Sequence, residues 1–390
     1  MEILKILLLI YLLYKDFKFI KLKKYNVKLI NVNKNEKEKE NNIIAKNPIK
    51  DIFFNNNSVI DDFNDFIKED SIQNNIYKYN ILNSPYKNKT KIPIAFGVDN
   101  NYIYPLIVLL TSILCNSSPR TFYIFHFMVP PNFSNENKEK IFGLSKKYPQ
   151  KFEYIFHNME NKYLGWTVFG CYSQAVYYRL SLSDILKDLD KIIYLDCDTI
   201  VHKDLTELYN INMGDYCYMG FPGHEIGYVE INGTRNFINS GVMLINLKKL
   251  REENAPKLYE DYYRKYGTKK VDEYLINVVF YDKIKFLPFI YGIPDFQKLY
   301  IIDSPSFFWN TLNGYCNGTE EEMISADVNR CITHGAYMEI KWWWKRYSSL
   351  THIGRRWFYY AYKSNVFGEI CNKYFQFKDK CEKIQKIMNK

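Results

Sequence analysis

The stretch KIIYLDCDTIV, residues 191–201, limits what this chain can fold into more than any other. Its first five residues form a short, mostly apolar run, the pattern of a buried strand. Asp196 and Asp198 stand at the end of that run. Side chains two apart lie on one face of an extended chain, so both carboxylates reach one point in space. Acids at the end of a buried strand need compensation, most simply from a hard divalent cation that also binds phosphate oxygens. The competing reading of a bare Asp-x-Asp pair is a polar turn that caps the strand and faces water. Aspartate-nucleophile phosphatases also carry Asp-x-Asp after an apolar strand, one Asp attacking phosphorus. They usually open their domain with it, whereas here another strand-end site precedes it.

The surroundings define the fold class. A strand-like IPIAFGV (92–98) runs through Asp99-Asn100-Asn101-Tyr102 into an apolar-periodic segment ending at Cys115. The patterning then predicts a strand over 121–129, a helix over about 135–148, a strand over 151–156 and a helix over about 175–189. Strands alternating with helices predict an α/β protein with a mixed, mostly parallel sheet and helices on both faces. Ligands of such sheets sit outside the carboxyl ends of the strands. The polar loops 99–102 and 196–198 both fall there and point at one crevice.

With 47% hydrophobic and 25% charged residues over 390 positions, wholesale disorder and collagen-like or mucin-like repeats are excluded. Residues 25–90, polar and rich in Asn, Lys and Asp, read as a stem or linker. Ahead of them, residues 4–14 (LKILLLIYLLY) rise about 16 Å as a helix, about half a bilayer core. That is the length of a signal-peptide apolar region, yet the first Ala is Ala45 and the first Ser is Ser58, so no small-residue cleavage site follows. Residues 1–24 are expected to be an uncleaved signal or membrane anchor, or to carry no targeting. Lys15, Lys18, Lys21, Lys23 and Lys24 follow the run, a bias opposite to the one a lumenal body wants. The eight cysteines form no Cys-x-x-Cys pair, against a zinc ribbon or thioredoxin motif, and their even number permits disulfides. A secretory-pathway membrane, Golgi or ER, is the expected location, with membrane-associated cytoplasm the alternative.

The net charge of +10 is concentrated at one end. Residues 341–390 hold twelve Lys and Arg against three acids, and the rest is nearly neutral. The segment 347–390, basic and aromatic with an apolar stripe at helical spacing, suits a membrane surface or packing onto the body. A nucleic-acid partner is not expected, because no recognition motif accompanies the charge.

Five segments carry a family resemblance. IAFGVDNNYIYPLIVLLTSI, YYRLSLSDILKDLDKIIYLDCDTIVHKDLTEL, NFINSGVMLINLKKLR, VDEYLIN and THGAYMEIKWW resemble, in order and spacing, the successive signatures of family 8 glycosyltransferases. That family includes glycogenin and bacterial lipopolysaccharide galactosyl- and glucosyltransferases. The resemblance covers about residues 92–346 and implies a single Rossmann-like GT-A catalytic domain over 91–346. It implies a retaining transfer of a hexose, glucose or galactose, from a UDP-sugar to a glycan, glycolipid or glycoprotein. A catalytically idle homologue that binds nucleotide-sugar or glycan is the alternative.

The resemblance also implies roles. Gly97, Val98, Asp99, Asn101 and Tyr102 would hold uridine and ribose, although Asp99 or Asn100 equally suits a helix N-cap. Asp196, Asp198 and His334 would bind manganese, or magnesium; a lone His more often makes a core or surface hydrogen bond. Cys197 groups with the nucleotide contacts. Arg179 would hold the sugar donor, Asn239 would contact the transferred sugar and Asp272 its hydroxyls. Glu273 stands near the anomeric carbon, where the family generally has Gln; with Asp272 it also makes a sound helix N-terminal charge pair. Lys341 would contact the departing diphosphate. The last loop departs from the family pattern: Gly335 follows His334 at once, and IKWWWK stands in place of Lys-Pro-Trp. The run Trp342–Trp344 reads as an acceptor platform or as packing.

Overall fold

The computed structural model describes residues 89–169, 172–223, 237–268, 271–294, 318–335 and 352–375, all within one compact unit, Tyr86–Cys381. The apolar run 4–14, the stem up to residue 88, Lys341, Trp342–Trp344 and the chain beyond 375 lie outside the described residues.

The strands are β1 (Thr90–Gly97), β2 (Thr121–Val129), β3 (Phe152–Asn158), β4 (Lys191–Leu195), β5 (Thr199–Val201), β6 (Tyr218–Pro222), β7 (Ile238–Asn246), β8 (Ile284–Phe286), β9 (Tyr291–Pro294) and β10 (Ile332–His334). The helices are α1 (Ile103–Cys115), α2 (Asn135–Lys147), α3 (Leu182–Ile185), α4 (Thr206–Tyr209), α5 (Leu247–Glu252), α6 (Ala255–Tyr266), α7 (Asp272–Val279), α8 (Glu320–Asn329), α9 (His352–Lys363) and α10 (Phe367–Phe375). Seven strands form one sheet in the order β3-β2-β1-β4-β7-β6-β8, parallel except for β7, which runs antiparallel to both neighbours. A second sheet has the order β5-β10-β9.

This topology collects the polar loops. β1 and β4 are parallel neighbours, Ile94 beside Ile193 and Ala95 beside Tyr194, so the loops after Gly97 and Leu195 leave the same edge. Because β7 is antiparallel, with Leu195 opposite Val242, its beginning reaches that edge too and brings Asn239, Ser240 and Gly241 to the end of β4.

The pleat sorts the core into two faces. Ala95, Ile192, Tyr194, Met243 and Ile245 pack with residues of α5, α6 and α7 in one cluster. The alternate residues, such as Phe96 with Phe125 and Phe127, face the other way. Helix α1 is buried from Ile103 to Leu114 almost without break. A helix apolar all round needs cover on more than one side, and α2, β5 and α9 supply it. Trp357, Phe358 and Tyr360 of α9 and Ile370 of α10 are buried, so the apolar stripe of this part of the basic tail faces the body. Asn116 Nδ2 donates to the Tyr360 hydroxyl (2.7 Å), Lys147 Nζ to Ser364 O (3.1 Å) and Asn365 Nδ2 to Lys140 O (2.9 Å). Among the described residues no helix is long and apolar enough to cross a membrane.

One expected element differs. In place of a helix over 175–189, a 3-10 segment covers Gln174–Ser181 and only Leu182–Ile185 is α-helical. A 3-10 turn stacks residues three apart, and Arg179 Nε donates to the Val176 carbonyl three residues back (3.0 Å). The tighter winding accompanies the burial of the Arg179 side chain.

Trp357 is only 1% exposed. Trp357→Ala should therefore lower the unfolding free energy by about 3–5 kcal/mol, measured by chemical denaturation. A loss below about 1 kcal/mol would mean that α9 rests on the surface and contributes little to the core.

Candidate active site

The end of β4 and the end of β10 meet across the two sheets. His334 Nε2 lies 3.8 Å from Asp196 Oδ2 and 3.4 Å from Asp198 Oδ1, and one ligand atom from each residue falls within 4.8 Å of the others. The turn between the aspartates is held by Thr199, whose N–H and hydroxyl both donate to Asp196 O, and by Gly335 N donating to Asp198 O (2.7 Å). Gly241 makes the approach possible. A Cβ there would stand 2.1 Å from His334 Cε1 and 2.8 Å from Asp196 Oδ2, well inside contact distance.

Two carboxylates and an imidazole form a donor set that suits manganese or another divalent cation of the hard-to-borderline class. The fit is supported by how Asp196 is shared. Its Oδ1 accepts from Arg179 Nη2 (2.8 Å) and from the Tyr194 hydroxyl (3.3 Å), while Oδ2 faces His334. One oxygen is thus used to orient the group and the other is turned to the cluster.

Arg179 is the counter-ion of this site. It is 4% exposed, pairs through Nη2 with Asp196 and through Nε with Asp272 Oδ2 (3.0 Å), and donates through Nη1 to Ser240 O. Its guanidinium lies 4.2 Å from the centre of the Tyr194 ring. Burial alone would lower its pKa, but Asp196 and Asp272 outweigh burial and raise it, so it stays cationic. Burial pushes the Asp272 carboxyl up to about 6, with Arg179 pulling the other way.

Opposite these groups, Asn239 and Glu273 form a fixed pair. Glu273 Oε2 accepts from Asn239 Nδ2 (2.9 Å) and from Ser240 N (3.1 Å), and Asn239 Oδ1 accepts from Gly241 N (3.0 Å). Asp272 and Glu273 open α7, where the helix dipole favours negative charge. Asn277 ties α7 to β7: its Oδ1 accepts from Ile238 N (2.8 Å), and its Nδ2 donates to Ile238 O (2.9 Å) and Glu273 O (2.8 Å).

The loop after β1 completes the edge. Asp99 caps the 3-10 turn Asn100–Tyr102, its Oδ1 accepting from Asn101 N (2.8 Å) and Tyr102 N (3.2 Å). Asn100 is spent on structure, bonding Asn132 O, Ser134 N and Asn137 Nδ2, whereas Asn101 is exposed and Tyr102 half-buried. Val98 is buried in the core. Gly97 N donates to the Tyr194 hydroxyl (3.2 Å), and a Cβ at Gly97 would meet Ala175 O at 2.6 Å. Cys197 is buried between the aspartates with Sγ 3.8 Å from Gly97 O. Burial and then Asp196 hold its thiol well above the ordinary range, so it stays protonated and unreactive.

The structure therefore brings Arg179, Asp196, Cys197, Asp198, Asn239, Asp272, Glu273 and His334 to one edge, with Gly97, Val98, Asp99, Asn101 and Tyr102 following the neighbouring strand. Lys341 falls outside the described residues. Three residues of the site escaped the sequence reading. Asn277 had a signal, a polar amide on the apolar helix YLINVVF; Tyr194, inside KIIYL, had none. The third, Tyr172, is a 39%-exposed rim residue whose phenol is pushed up by burial and then by Glu273, Asp196, Asp198 and Asp272.

Gly241→Ala should displace the His334 ring. Its expected effect is at least a tenfold loss of Mn²⁺ affinity, the size of effect seen when metal-ligand geometry is disturbed, with the far-ultraviolet circular dichroism retained. Unchanged Mn²⁺ affinity in that variant would exclude His334 from the cluster.

The family model for glycosyl transferase family 8 matches residues 93–294. A glycosyltransferase of Haemophilus influenzae, described as putative, is 30% identical over 210 residues, 50% of this chain and 61% of that protein. The lipopolysaccharide 1,3-galactosyltransferase of Salmonella typhimurium is 26% identical over 212 residues, 49% of this chain and 58% of that protein. Both alignments thus span less than two thirds of the relative. The galactosyltransferase LgtC, solved with donor and acceptor sugar analogues and also as an active-site Gln-to-Glu mutant, superposes with a TM-score of 0.57 at 21% identity, over 70% of this chain and 96% of LgtC. Its likeness concerns the fold. With the family model covering half of the chain, this protein belongs to glycosyl transferase family 8.

Proposed function

We propose that this chain is a metal-dependent, retaining hexosyltransferase that moves glucose or galactose from a UDP-sugar to a glycan, glycolipid or glycoprotein acceptor. The observation that carries the reading is the convergence of Asp196, Asp198 and His334 at strand ends, facing Asn239, Asp272 and Glu273 across the same edge. The names of the Salmonella enzyme and of LgtC weigh towards galactose.

Asp196, Asp198 and His334 would hold the cation, which when bound neutralises the diphosphate and so eases departure of UDP. Asp196 is oriented for this by Arg179 and Tyr194. The loop Asp99–Tyr102 would take the base and ribose, Asn101 and Tyr102 being its accessible side chains. Asp272 would accept hydrogen bonds from sugar hydroxyls. Glu273, fixed by Asn239 Nδ2 and Ser240 N, would present negative charge where positive charge develops at the anomeric carbon. Lys341 would add a positive charge on the leaving diphosphate. The phosphatase alternative predicts turnover of phosphate esters with no need for UDP, and the family 8 match over residues 93–294 weighs against it. The reading further includes a secretory-pathway membrane, Golgi or ER, as the working location, which rests on the apolar run 4–14.

A thermal-shift and calorimetry screen against UDP, UDP-glucose, UDP-galactose, UDP-xylose and UDP-glucuronate, with and without Mn²⁺, tests the reading. Mn²⁺-dependent stabilisation by UDP and one hexose donor is expected, about 2.7 kcal/mol at a hundredfold excess over Kd. Asp198→Ala should abolish it. Uridine nucleotides that fail to bind folded protein with metal present would remove the transferase reading. Binding without donor hydrolysis or transfer would favour the idle homologue.

A further inference from the structure

Thr333 precedes His334 on β10, so its side chain leaves the strand on the face opposite the imidazole. It is fully buried. Its Oγ1 lies 2.9 Å from His202 Nε2 and 3.2 Å from Arg330 Nη1. His202 directly follows β5, the antiparallel partner of β10, and its N–H donates to Cys331 O (2.8 Å). The far side of its ring meets the C-terminal helices, with Nδ1 3.2 Å from Arg356 Nη1 on α9. A guanidinium only donates, so His202 Nδ1 accepts; the ring proton then sits on Nε2 and is donated to Thr333. A directed chain of hydrogen bonds therefore runs from α9 to the strand that carries His334. Trp357, the next residue on α9, is buried in the core and sets the place of Arg356.

We propose that Arg356 and His202 are positioning residues for the metal site. They hold Thr333, and with it β10, at the register where His334 Nε2 faces Asp196 and Asp198. Arg356 thereby gives α9 a part in holding the metal site, although it supplies no ligand atom to the cluster. This inference rests on the reading of Asp196, Asp198 and His334 as divalent-cation ligands. Loss of a group bonded directly to a metal ligand typically weakens binding about ten- to a hundredfold. Here Thr333 is the chain neighbour of the ligand and Arg356 acts on it through His202, so a smaller loss of about three- to tenfold is expected.

The experiment is a Mn²⁺ titration by calorimetry on the intact chain, with thermal midpoints recorded alongside. Arg356→Met and the near-isosteric Thr333→Val should each weaken Mn²⁺ binding by that factor, and Arg356→Lys, which keeps a donor, should recover most of it. Asn365→Ala loosens the same helical pair where it bonds Lys140 O. It should lower the thermal midpoint and leave Mn²⁺ affinity unchanged. Wild-type affinity in both Arg356→Met and Thr333→Val, or an equal loss in Asn365→Ala, would overturn the positioning role. No Mn²⁺ uptake by the unaltered chain, or full uptake by Asp198→Ala, would instead remove the metal reading on which the role depends.

Discussion

The site depends on one buried cation. Arg179 stands between Asp196 and Asp272, 2.8 and 3.0 Å from their oxygens, and lets a strand that is otherwise all core end in carboxylates. Acids in such a place would normally take up protons or stay in water. Removing one partner of a buried pair of this kind costs about 3–5 kcal/mol, because it strands the other charge. Asp198, with a carboxylate oxygen 3.4 Å from His334 Nε2, stands beside Asp196 in the group that would hold a divalent cation. Arg179 also explains the local backbone, since its bond to Val176 O belongs to the 3-10 segment that replaces a longer helix.

Around this counter-ion the elements are joined by short polar contacts. The Tyr194 hydroxyl connects β1 at Gly97 with Asp196. Asn277 and the Asn239–Glu273 pair connect β7 with α7. Gly241 leaves the space in which His334 approaches the aspartates from the smaller sheet. The groups are therefore held by regular structure, which suits a preorganised binding site.

Much of this was legible along the chain. The run KIIYL ends where a strand should, and the 121–129 strand coincides with β2 residue for residue, because period-two and apolar-run patterns are local. The meeting of loops 99–102 and 196–198 followed from the parallel-sheet rule. Contacts set by distant residues were not legible. Nothing in the spacing of Arg179 shows that it pairs with Asp272, nor that Tyr194 reaches Asp196, and the helix expected over 175–189 failed because propensity could not see a buried side chain. His334 entered as a ligand only through the family resemblance. The stripe in the basic tail was open between membrane and body. The structure decides for the body: helix α1, buried almost throughout, is covered in part by α9, whose Trp357 and Tyr360 are buried.

The central claim is that Asp196, Asp198 and His334 together hold one divalent cation. Anomalous scattering at the manganese edge, from crystals soaked in Mn²⁺ and UDP, tests it most directly. The account predicts one strong peak about 2.0–2.6 Å from an oxygen of each aspartate and from His334 Nε2, the distance range of protein-bound divalent cations. A fully soaked crystal with no peak there, or with its manganese bound by other residues, would contradict it.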